Sequence, residues 1–271
     1  MITLHTIVKN EDRFIKAALI SALASKDVKR ALVWDTGSTD NTVQEILSIK
    51  DPRIEFIEKG NVSRKKLALL RNEQLEITKT PWILLVDGDE IWPEKNLQNL
   101  ILTMKKCLAG PDPTLPDNNV TIALVNRTRN VVGDIYHYLP ESKGHYQIGS
   151  WTGHLNIRAI RNLSGLIVKG GYPDEWYELD GVKIQEYPSC LSNKESPCRT
   201  ARRLLNRRQE FCLQFVDTWY LHATHLKRSS SWMAEFKTID RLKKHKWFYG
   251  LTGLKLIEMN KSELPEVLQK F

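Results

Sequence analysis

The sequence predicts an α/β protein with a doubly wound, mostly parallel sheet, a smaller mixed subdomain and C-terminal helices. Two observations carry this prediction. Segments with the period of a strand and of a helix alternate along residues 1–107, and this alternation is typical of parallel sheets with helices on both faces. The run Trp-Ile-Leu-Leu-Val at 82–86 is wholly apolar, which indicates a strand that is covered on both sides.

The first half of the sequence alternates strictly between strand and helix. Apolar residues at helical spacing, such as Ile15, Leu19 and Ala22, predict helices that each bury one face. Thr42 is the candidate start of a capping box, and Ser63 is a candidate N-cap. The predicted order is strand 2–8, helix 12–24, strand 31–34, helix 39–49, strand 53–58, helix 63–77, strand 82–86 and helix 94–107.

Three prolines and a glycine at 110–117 interrupt this alternation and predict a boundary between two parts of the chain. Beyond it, strands are predicted at 120–125, 131–136, 155–160 and 166–168, and amphipathic helices at 199–215 and 230–247. We expect residues 1–110 and 111–225 to be two halves of one domain, followed by a helical tail at 226–271.

The composition is basic, with a net charge of +8. Such a charge predicts attraction to polyanions, which include nucleotide phosphates, anionic lipids and nucleic acids. No stretch approaches the ~18 apolar residues that a membrane span requires. The first residues are typical of a strand and not of a signal peptide, so we expect a cytoplasmic protein. Trp and Lys residues at 230–247 leave open a contact with the cytoplasmic membrane face, although docking of that helix on the domain is the simpler interpretation.

The four cysteines, Cys107, Cys190, Cys198 and Cys212, do not have the spacing of a metal site. We therefore expect buried thiols. A disulfide between Cys190 and Cys198 is the alternative, and it would point to an oxidising compartment or a hyperthermophilic source.

The apolar run 82–86 leads directly into Asp87, Gly88, Asp89 and Glu90. In extended backbone, Asp87 and Asp89 point the same way, and Gly88 lets a ligand approach the main chain. Two carboxylates at the carboxyl end of a buried strand suit Mg²⁺ or Mn²⁺ with open positions for phosphate oxygens. The alternative is an ordinary polar turn, because Asp-Gly is a common turn pair.

Two further strand ends and one helix carry polar residues that are expected at the same edge of the sheet. Val-Lys-Asn-Glu at 8–11 ends the first strand, and Asp-Thr-Gly-Ser-Thr-Asp at 35–40 ends the second. Asp35 can accept a hydrogen bond from a nucleobase or ribose, and Arg71 on the third helix can pair with phosphate. The alternative for Arg71 is an ordinary surface pair with Glu55 or Glu58.

This ordered series over residues 1–92 resembles family-2 glycosyltransferases of the GT-A fold, in particular the subgroup with V-K-N-E and D-T-G-S-T-D loops. Residues 156–162 (Asn-Ile-Arg-Ala-Ile-Arg-Asn) and 170–176 (Gly-Gly-Tyr-Pro-Asp-Glu-Trp) are similar to the subgroup's R-L-F-R-N and G-x-x-H-E segments. His222 is similar to its C-terminal metal-contacting histidine. Two positions depart from the family pattern, since Thr36 follows Asp35 where many members have a second aspartate, and Asp174 stands where the subgroup has histidine.

The resemblance implies transfer of a sugar, by direct displacement with inversion at the anomeric carbon, from a nucleotide-sugar that is most often a UDP-sugar. Mn²⁺ or Mg²⁺ would bridge the protein and the diphosphate, with Asp89, Asp87 and His222 as candidate ligands. Glu175, or else Asp174, is the candidate base for the acceptor hydroxyl. Residues 1–110 would bind the donor, and residues 111–225 would bind an acceptor that is a sugar, a lipid-linked molecule or a protein. The candidate nucleotide-binding residues are Thr6, Val8, Asn10, Glu11, Asp35, Arg71, Asp87 and Gly88.

Other interpretations are open for single residues and for the whole chain. His222 can be a structural histidine, and Asp174 with Glu175 can begin a short helix. A nucleotidyltransferase would use a similar sheet, but it would need a glycine-rich loop after the first strand, where residues 8–13 contain no glycine. A non-enzymatic nucleic-acid-binding protein would use the basic segment 199–208, for which charge alone is weak evidence.

Overall fold

The computed structural model of the chain describes residues 1–109, 119–190, 210–226 and 256–269. The loop predicted at 110–117, the first part of the helix predicted at 199–215 and the helix predicted at 230–247 lie outside these ranges. No helix of the described residues is long and apolar enough to span a membrane.

Parallel strands form the centre of the sheet. They are β1 (Ile2–Val8), β2 (Val28–Asp35), β3 (Ile54–Glu58) and β4 (Trp82–Leu85). β1 lies between β4 and β2, and β3 pairs with the outer side of β2. The spatial order β4-β1-β2-β3 brings the carboxyl ends of the parallel strands to one edge, so the predicted parallel sheet is confirmed.

The helices of the described residues connect and cover these strands. They are α1 (Ile15–Leu23), α2 (Thr42–Leu47), α3 (Leu67–Glu76) and α4 (Glu94–Leu108). The first three are shorter than predicted, because neighbouring residues take part in other bonds. The hydroxyl of Thr42 accepts from the N–H of Glu11 at 2.7 Å and forms no capping box. A 3-10 turn at Arg64–Lys66 precedes α3, and the side chain of Ser63 makes no capping bond.

Alternate residues of β4 face two different cores, which explains the unbroken apolar run of this strand. Trp82 and Leu84 belong to a buried cluster with residues of α1 and α4. Ile83 and Leu85 belong to a second cluster with residues of α3. A strand between two helical layers has no face in solvent, and the predicted doubly wound arrangement follows from this pattern.

Residues beyond 109 extend the same sheet in mixed orientation. β6 (Asn119–Val132) and β10 (Leu155–Arg161) are antiparallel to each other, and β10 is also antiparallel to β4. β14 (Glu210–His225) runs parallel to β6 and pairs with β5 (Glu90–Ile91). The short strands are β7 (His137–Tyr138), β8 (Tyr146–Ile148), β9 (Trp151–Gly153), β11 (Ile167–Lys169), β12 (Trp176–Leu179), β13 (Val182–Lys183) and β15 (Ile257–Glu258).

Two element predictions in this half are wrong. The strands predicted at 120–125 and 131–136 are one strand, which ends at Val132. Residues 210–215 of the predicted helix 199–215 belong instead to β14. Pairing with β6 buries Cys212 and Leu213, so a contact between distant segments overrides the helical pattern of the local sequence.

The described part of the predicted helical tail, residues 256–269, contains no α-helix. β15 pairs with β7, and a 3-10 turn follows at Lys261–Glu263. Met259, Leu264 and Leu268 are buried in the larger of the two core clusters, the one that contains Trp82 and Leu84. This segment is therefore a packed part of the domain, and the prediction of a helical tail is corrected for these residues.

Cys190 and Cys212 form a disulfide, whose partners are 22 residues apart in the sequence. This bond replaces the expected buried thiols at these two positions. It also excludes the alternative pair of Cys190 with Cys198, which lies outside the described residues. Cys107 donates its thiol to Gln214 Oε1 at 3.3 Å.

The segment 140–144 packs closely against the residues that precede β10. A 3-10 turn at Glu141–Lys143 leads into Gly144, which is buried. A β-carbon at position 144 would overlap the backbone of Gly153 and His154. Glycine is required here for space and not for backbone conformation, since its φ of −76° suits any residue.

We expect Gly144→Ala to lower the free energy of unfolding by about 1–3 kcal/mol, because the backbone that the new methyl group meets must shift. Chemical denaturation measures this loss. Ser142→Ala, at an exposed position of the same turn, is the control and should change the stability by less than about 0.5 kcal/mol. Equal stability of the two variants would contradict the close packing.

Candidate active site

Hydrogen bonds connect the loop that follows β1 to the loop that follows β2. The N–H of Asn10 donates to Ser38 Oγ at 2.8 Å, and the N–H of Thr39 donates to Asn10 Oδ1 at 2.7 Å. The N–H of Glu11 donates to Thr42 Oγ1 at 2.7 Å. Asn10 has a φ of 57°, a left-handed backbone that asparagine adopts more readily than most residues. Asn10 and Glu11 thus lie at the predicted edge, where these bonds fix the shape of both loops.

The carboxylate of Asp35 accepts hydrogen bonds from residues of its own loop. Its Oδ2 accepts from the N–H groups of Gly37 at 2.8 Å and Ser38 at 2.9 Å, and the Ser38 hydroxyl donates to Oδ1. Asp35 is 2% exposed. The structure thus gives this side chain a role in shaping the loop, and the predicted hydrogen bond to a base or ribose stays a prediction.

Three other candidate nucleotide-binding residues are enclosed by protein. Thr6 is buried and its hydroxyl donates to the Val86 carbonyl at 2.9 Å, and Val8 is buried in the larger core cluster. A β-carbon at Gly88 would lie 3.0 Å from side-chain atoms of Val8 and Glu11. The side chains of Thr6 and Val8 therefore support the sheet, and Gly88 leaves room for its protein neighbours. Contact of these three residues with a nucleotide stays a prediction.

Asp87 and Asp89 do not lie on one side of an extended strand, because residues 88 and 89 form a turn. The N–H of Glu90 donates to the Asp87 carbonyl at 3.1 Å. The carboxylate of Asp87 consequently lies against two arginines, whereas that of Asp89 lies against His222. The two aspartates of the turn therefore have different side-chain partners.

Arg158 is a buried cation at the centre of the site. Its Nη2 donates to Asp87 Oδ2 at 2.9 Å and contacts Oε1 of Glu90, and its Nε donates to the Tyr220 hydroxyl at 3.2 Å. Burial favours a higher pKa for Asp87, but attraction to Arg158 and Arg71 outweighs it and lowers the pKa to about 2. Burial raises the pKa of Glu90, and Arg158 opposes this effect. Asp87 is therefore ionised at neutral pH.

Asp89 is 3% exposed and lies at the point where β5 pairs with β14. Its Oδ2 is 3.4 Å from His222 Nε2, and its carbonyl accepts from the N–H of Ala223 at 2.9 Å. Within the described ranges, no group of three or more His, Cys, Asp or Glu side chains is arranged for a metal. A carboxylate and an imidazole are nevertheless donors that Mn²⁺ accepts, and a diphosphate would supply further oxygens. The donor set fits a metal that binds together with its nucleotide.

Arg71 connects Asp87 to the candidate base Glu175. The Arg71 side chain is 9% exposed, its Nη2 lies 3.3 Å from Asp87 Oδ1, and its Nε lies 3.8 Å from Glu175 Oε1. Glu55 pairs with Arg30 instead. The interpretation of Arg71 as a solvated surface charge is therefore wrong.

The environment of Glu175 differs from that of Asp174. Burial raises the pKa of Glu175, with Arg71 acting in the opposite direction. Burial also raises the pKa of the neighbouring Tyr177 to about 12, so this hydroxyl stays protonated. Asp174 is exposed. Both acidic residues precede β12, so the interpretation that they begin a helix is wrong.

Sequence reasoning missed Arg158, although this residue lies in one of the segments on which the resemblance rests. The pairing of β10 with β6 is irregular between Ile157 and Ala159. An irregularity of this kind locally re-aims a side chain, which here places the guanidinium against Asp87 and Glu90. One signal in the sequence indicated that Arg158 is a functional residue, since it is a charged residue between apolar neighbours in a predicted strand.

The model of the family Glycosyl transferase family 2 matches residues 3–160, which is more than half of the chain. The chain belongs to this family. The predicted family, the GT-A-type α/β fold and the glycosyltransferase class of enzyme are thereby confirmed. No curated protein sequence matches the chain.

Solved structures resemble this chain at low sequence identity. S. aureus TarS 1-349 in complex with UDP-GlcNAc has a TM-score of 0.49 and 14% identity, over 82% of this chain and 58% of that one. The glucosyl-3-phosphoglycerate synthase from Mycobacterium tuberculosis in complex with Mn²⁺ and UDP-glucose has a TM-score of 0.42 and 13% identity, over 90% of this chain and 78% of that one. The chain spans 61% of the TarS fragment in its structure without a named ligand.

We expect Arg158→Met to lower the free energy of unfolding by about 3–5 kcal/mol, because it leaves the buried carboxylate of Glu90 without its cation. Arg30→Met, which removes the arginine of the more exposed pair with Glu55, is the control and should cost at most about 1 kcal/mol. Urea denaturation of both variants measures the difference. A loss at Arg158 no larger than that at Arg30 would show that the buried network is not central to stability.

Proposed function

We propose that the protein transfers a hexosyl group from a UDP-sugar to an acceptor hydroxyl, with a bound divalent ion and with inversion at the anomeric carbon. The observation that carries the proposal is the arrangement at one edge of the sheet. There Arg71 joins Asp87 to Glu175, with 3.3 Å between Arg71 Nη2 and Asp87 Oδ1, and the carboxylate of Asp89 faces His222. Family membership supports a nucleotide-sugar as the donor.

The donor would bind across residues 1–110 and the acceptor across residues 111–225. The loops after β1 and β2 are pre-shaped by the bonds of Asn10 and Asp35, which limits the entropy that a nucleotide must remove on binding. The acceptor would be selected by the irregular loops between β7 and β12, because loops held by a rigid scaffold often carry binding specificity. The acceptor class, a sugar, a lipid-linked molecule or a protein, stays a prediction.

Asp89 and His222 would hold the metal ion. An imidazole ligand favours Mn²⁺ over the harder Mg²⁺, which prefers oxygen. When bound, the ion would neutralise charge that develops on the departing diphosphate. Asp87, which was also a candidate ligand, is engaged by Arg71 and Arg158 and would act by holding these two arginines beside the donor.

Glu175 is better suited than Asp174 to act as the base. Its Oε2 is buried and has no hydrogen-bond partner in the part of the chain that the structure describes, so an acceptor hydroxyl would satisfy it. Its raised pKa lies closer to neutral pH than that of an exposed carboxylate, which is what general-base catalysis requires. Arg71 would keep the carboxylate ionised and oriented until the proton is transferred.

The cellular location is a separate part of the proposal. A cytoplasmic enzyme with contact to the membrane face through residues 230–247 stays a prediction, since that segment lies outside the described residues. The Cys190–Cys212 disulfide is of a kind that is uncommon in reducing compartments. It therefore weighs against the cytoplasmic part of this expectation.

Addition of UDP with Mn²⁺ should raise the melting temperature, because a ligand that binds only the folded state stabilises it by about 2.7 kcal/mol at a hundred times its Kd. Asp89→Asn should abolish the rise and the turnover while the protein remains folded by circular dichroism. Asp217→Asn, at a side chain that is 82% exposed, is the matched control and should keep both. Unchanged turnover in Asp89→Asn would refute the metal site.

Glu175→Gln should reduce transfer to the acceptor by a factor of about 100 or more, because it removes proton acceptance. Nucleotide affinity, measured by calorimetry, should stay unchanged, and Asp174→Asn should transfer normally. If Asp174→Asn is inactive and Glu175→Gln is active, the two roles are exchanged. If both variants are active, the base lies elsewhere, with Asp134, Glu141 and Asp180 as the next candidates. Donor hydrolysis serves as the assay until an acceptor is identified.

A further inference from the structure

A chain of hydrogen bonds leads from His222 away from the cleft. Asn130 on β6 lies opposite His222 on β14, and its Oδ1 is 2.9 Å from His222 Nδ1. The Nδ2 of Asn130 is 3.2 Å from Nδ1 of His154. The Nε2 of His154 is 3.2 Å from the carbonyl oxygen of Pro140. None of the roles assigned above accounts for Asn130 or His154.

The donor and the acceptor of every hydrogen bond in this series follow from its last member, the carbonyl oxygen of Pro140. A carbonyl oxygen can only accept, so His154 must carry a hydrogen on Nε2 to bond with Pro140. The Nδ1 of a neutral His154 is then an acceptor, and it requires the amide nitrogen of Asn130 as its donor. The Oδ1 of Asn130 is thereby turned towards His222, whose Nδ1 must donate.

His154 is held in the neutral form that this order requires. The residue is 7% exposed, and burial lowers its pKa; Glu141 and the bond to the Pro140 carbonyl act in the opposite direction without reversing the shift, and His145 adds to the lowering. Glu141 also accepts from the backbone N–H of His154 at 3.4 Å. A protonated His154 would set two donors, its own Nδ1 and the amide of Asn130, against each other.

We propose that Asn130 and His154 are positioning residues that fix the proton of His222 on Nδ1, so that Nε2 presents its lone pair to a divalent ion held with Asp89. This inference rests on the proposed metal site. Histidine ligands of metals commonly donate their second N–H to a protein acceptor, and that contact fixes the ring and the tautomer. Without Asn130, a hydrogen on Nε2 of His222 would bond with Asp89 and close the site to the metal.

The experiment compares Asn130→Leu with Asn130→Asp. Leucine removes both bonds at similar volume, whereas aspartate still accepts from His222 Nδ1 but cannot donate to His154. The imidazole ¹⁵N spectrum of the metal-free protein, recorded in alkaline buffer, identifies the protonated nitrogen of His222. Calorimetry with Mn²⁺ in the presence of UDP measures the metal affinity. His145→Ala, at an exposed position, is the histidine control for both measurements.

The wild type and Asn130→Asp should carry the hydrogen on Nδ1 of His222, and Asn130→Leu should carry it on Nε2. The affinity for Mn²⁺ should fall about 10- to 100-fold in Asn130→Leu and return to within a few-fold of the wild type in Asn130→Asp. An unchanged tautomer or an unchanged affinity in Asn130→Leu would overturn the inference. Wild-type protein that shows the Nδ1 hydrogen but binds no Mn²⁺ with UDP would instead refute the proposed metal site, and the tautomer result distinguishes the two failures.

Discussion

The ion network around the buried guanidinium of Arg158 is the interaction on which the rest of the site depends. Arg158 belongs to β10, and its partners Asp87, Glu90 and Tyr220 come from the end of β4, from β5 and from β14. Glu90 is fully buried, and an isolated carboxylate in such a place would be strongly destabilising. The buried ion pairs of Arg158 with Asp87 and Glu90 therefore hold the parallel half of the sheet and its mixed extension in one arrangement.

This network also distributes the charges of the acidic turn. The sequence places three carboxylates within residues 87–90, and they would repel each other if all were left without cations. Arg158 pairs with both Asp87 and Glu90, and Arg71 pairs with Asp87, whereas Asp89 lies against His222. In the proposed function, an ion drawn to this turn would meet Asp89 with the imidazole of His222 beside it, rather than an even cluster of aspartates. The two aspartates of the D-x-D pattern thus have different partners because the turn at 88 and 89 points them apart.

Much of the first half was predictable from the sequence, because its signals are local. The pattern of apolar residues identified the four parallel strands of this half, β1 to β4, and the polar residues after these strands identified the edge at which Arg71 and Asp87 meet. The failures concern contacts between distant segments. Residues 210–215 have a helical pattern but form a strand once β6 lies beside them, and no local pattern could indicate that Cys212 pairs with Cys190. The sequence also contained no indication that the carboxylate of Asp35 would accept from two N–H groups of its own loop.

The second half of the chain contributes more to the proposed metal site than the strand-end motifs suggest. His222 reaches Asp89 because β14 lies between β6 and β5, and in our proposal Asn130 and His154 fix the position of the hydrogen on its ring. In that series, only the carbonyl oxygen of Pro140 is limited to accepting a hydrogen bond. Gly144 allows the turn that carries this carbonyl to pack directly against His154. A change in the packing of this turn would alter which nitrogen of His222 carries the hydrogen, without altering His222 or Asp89. If Asp89 and His222 hold a metal as proposed, a change in this turn would therefore act on the metal site through His154 and Asn130.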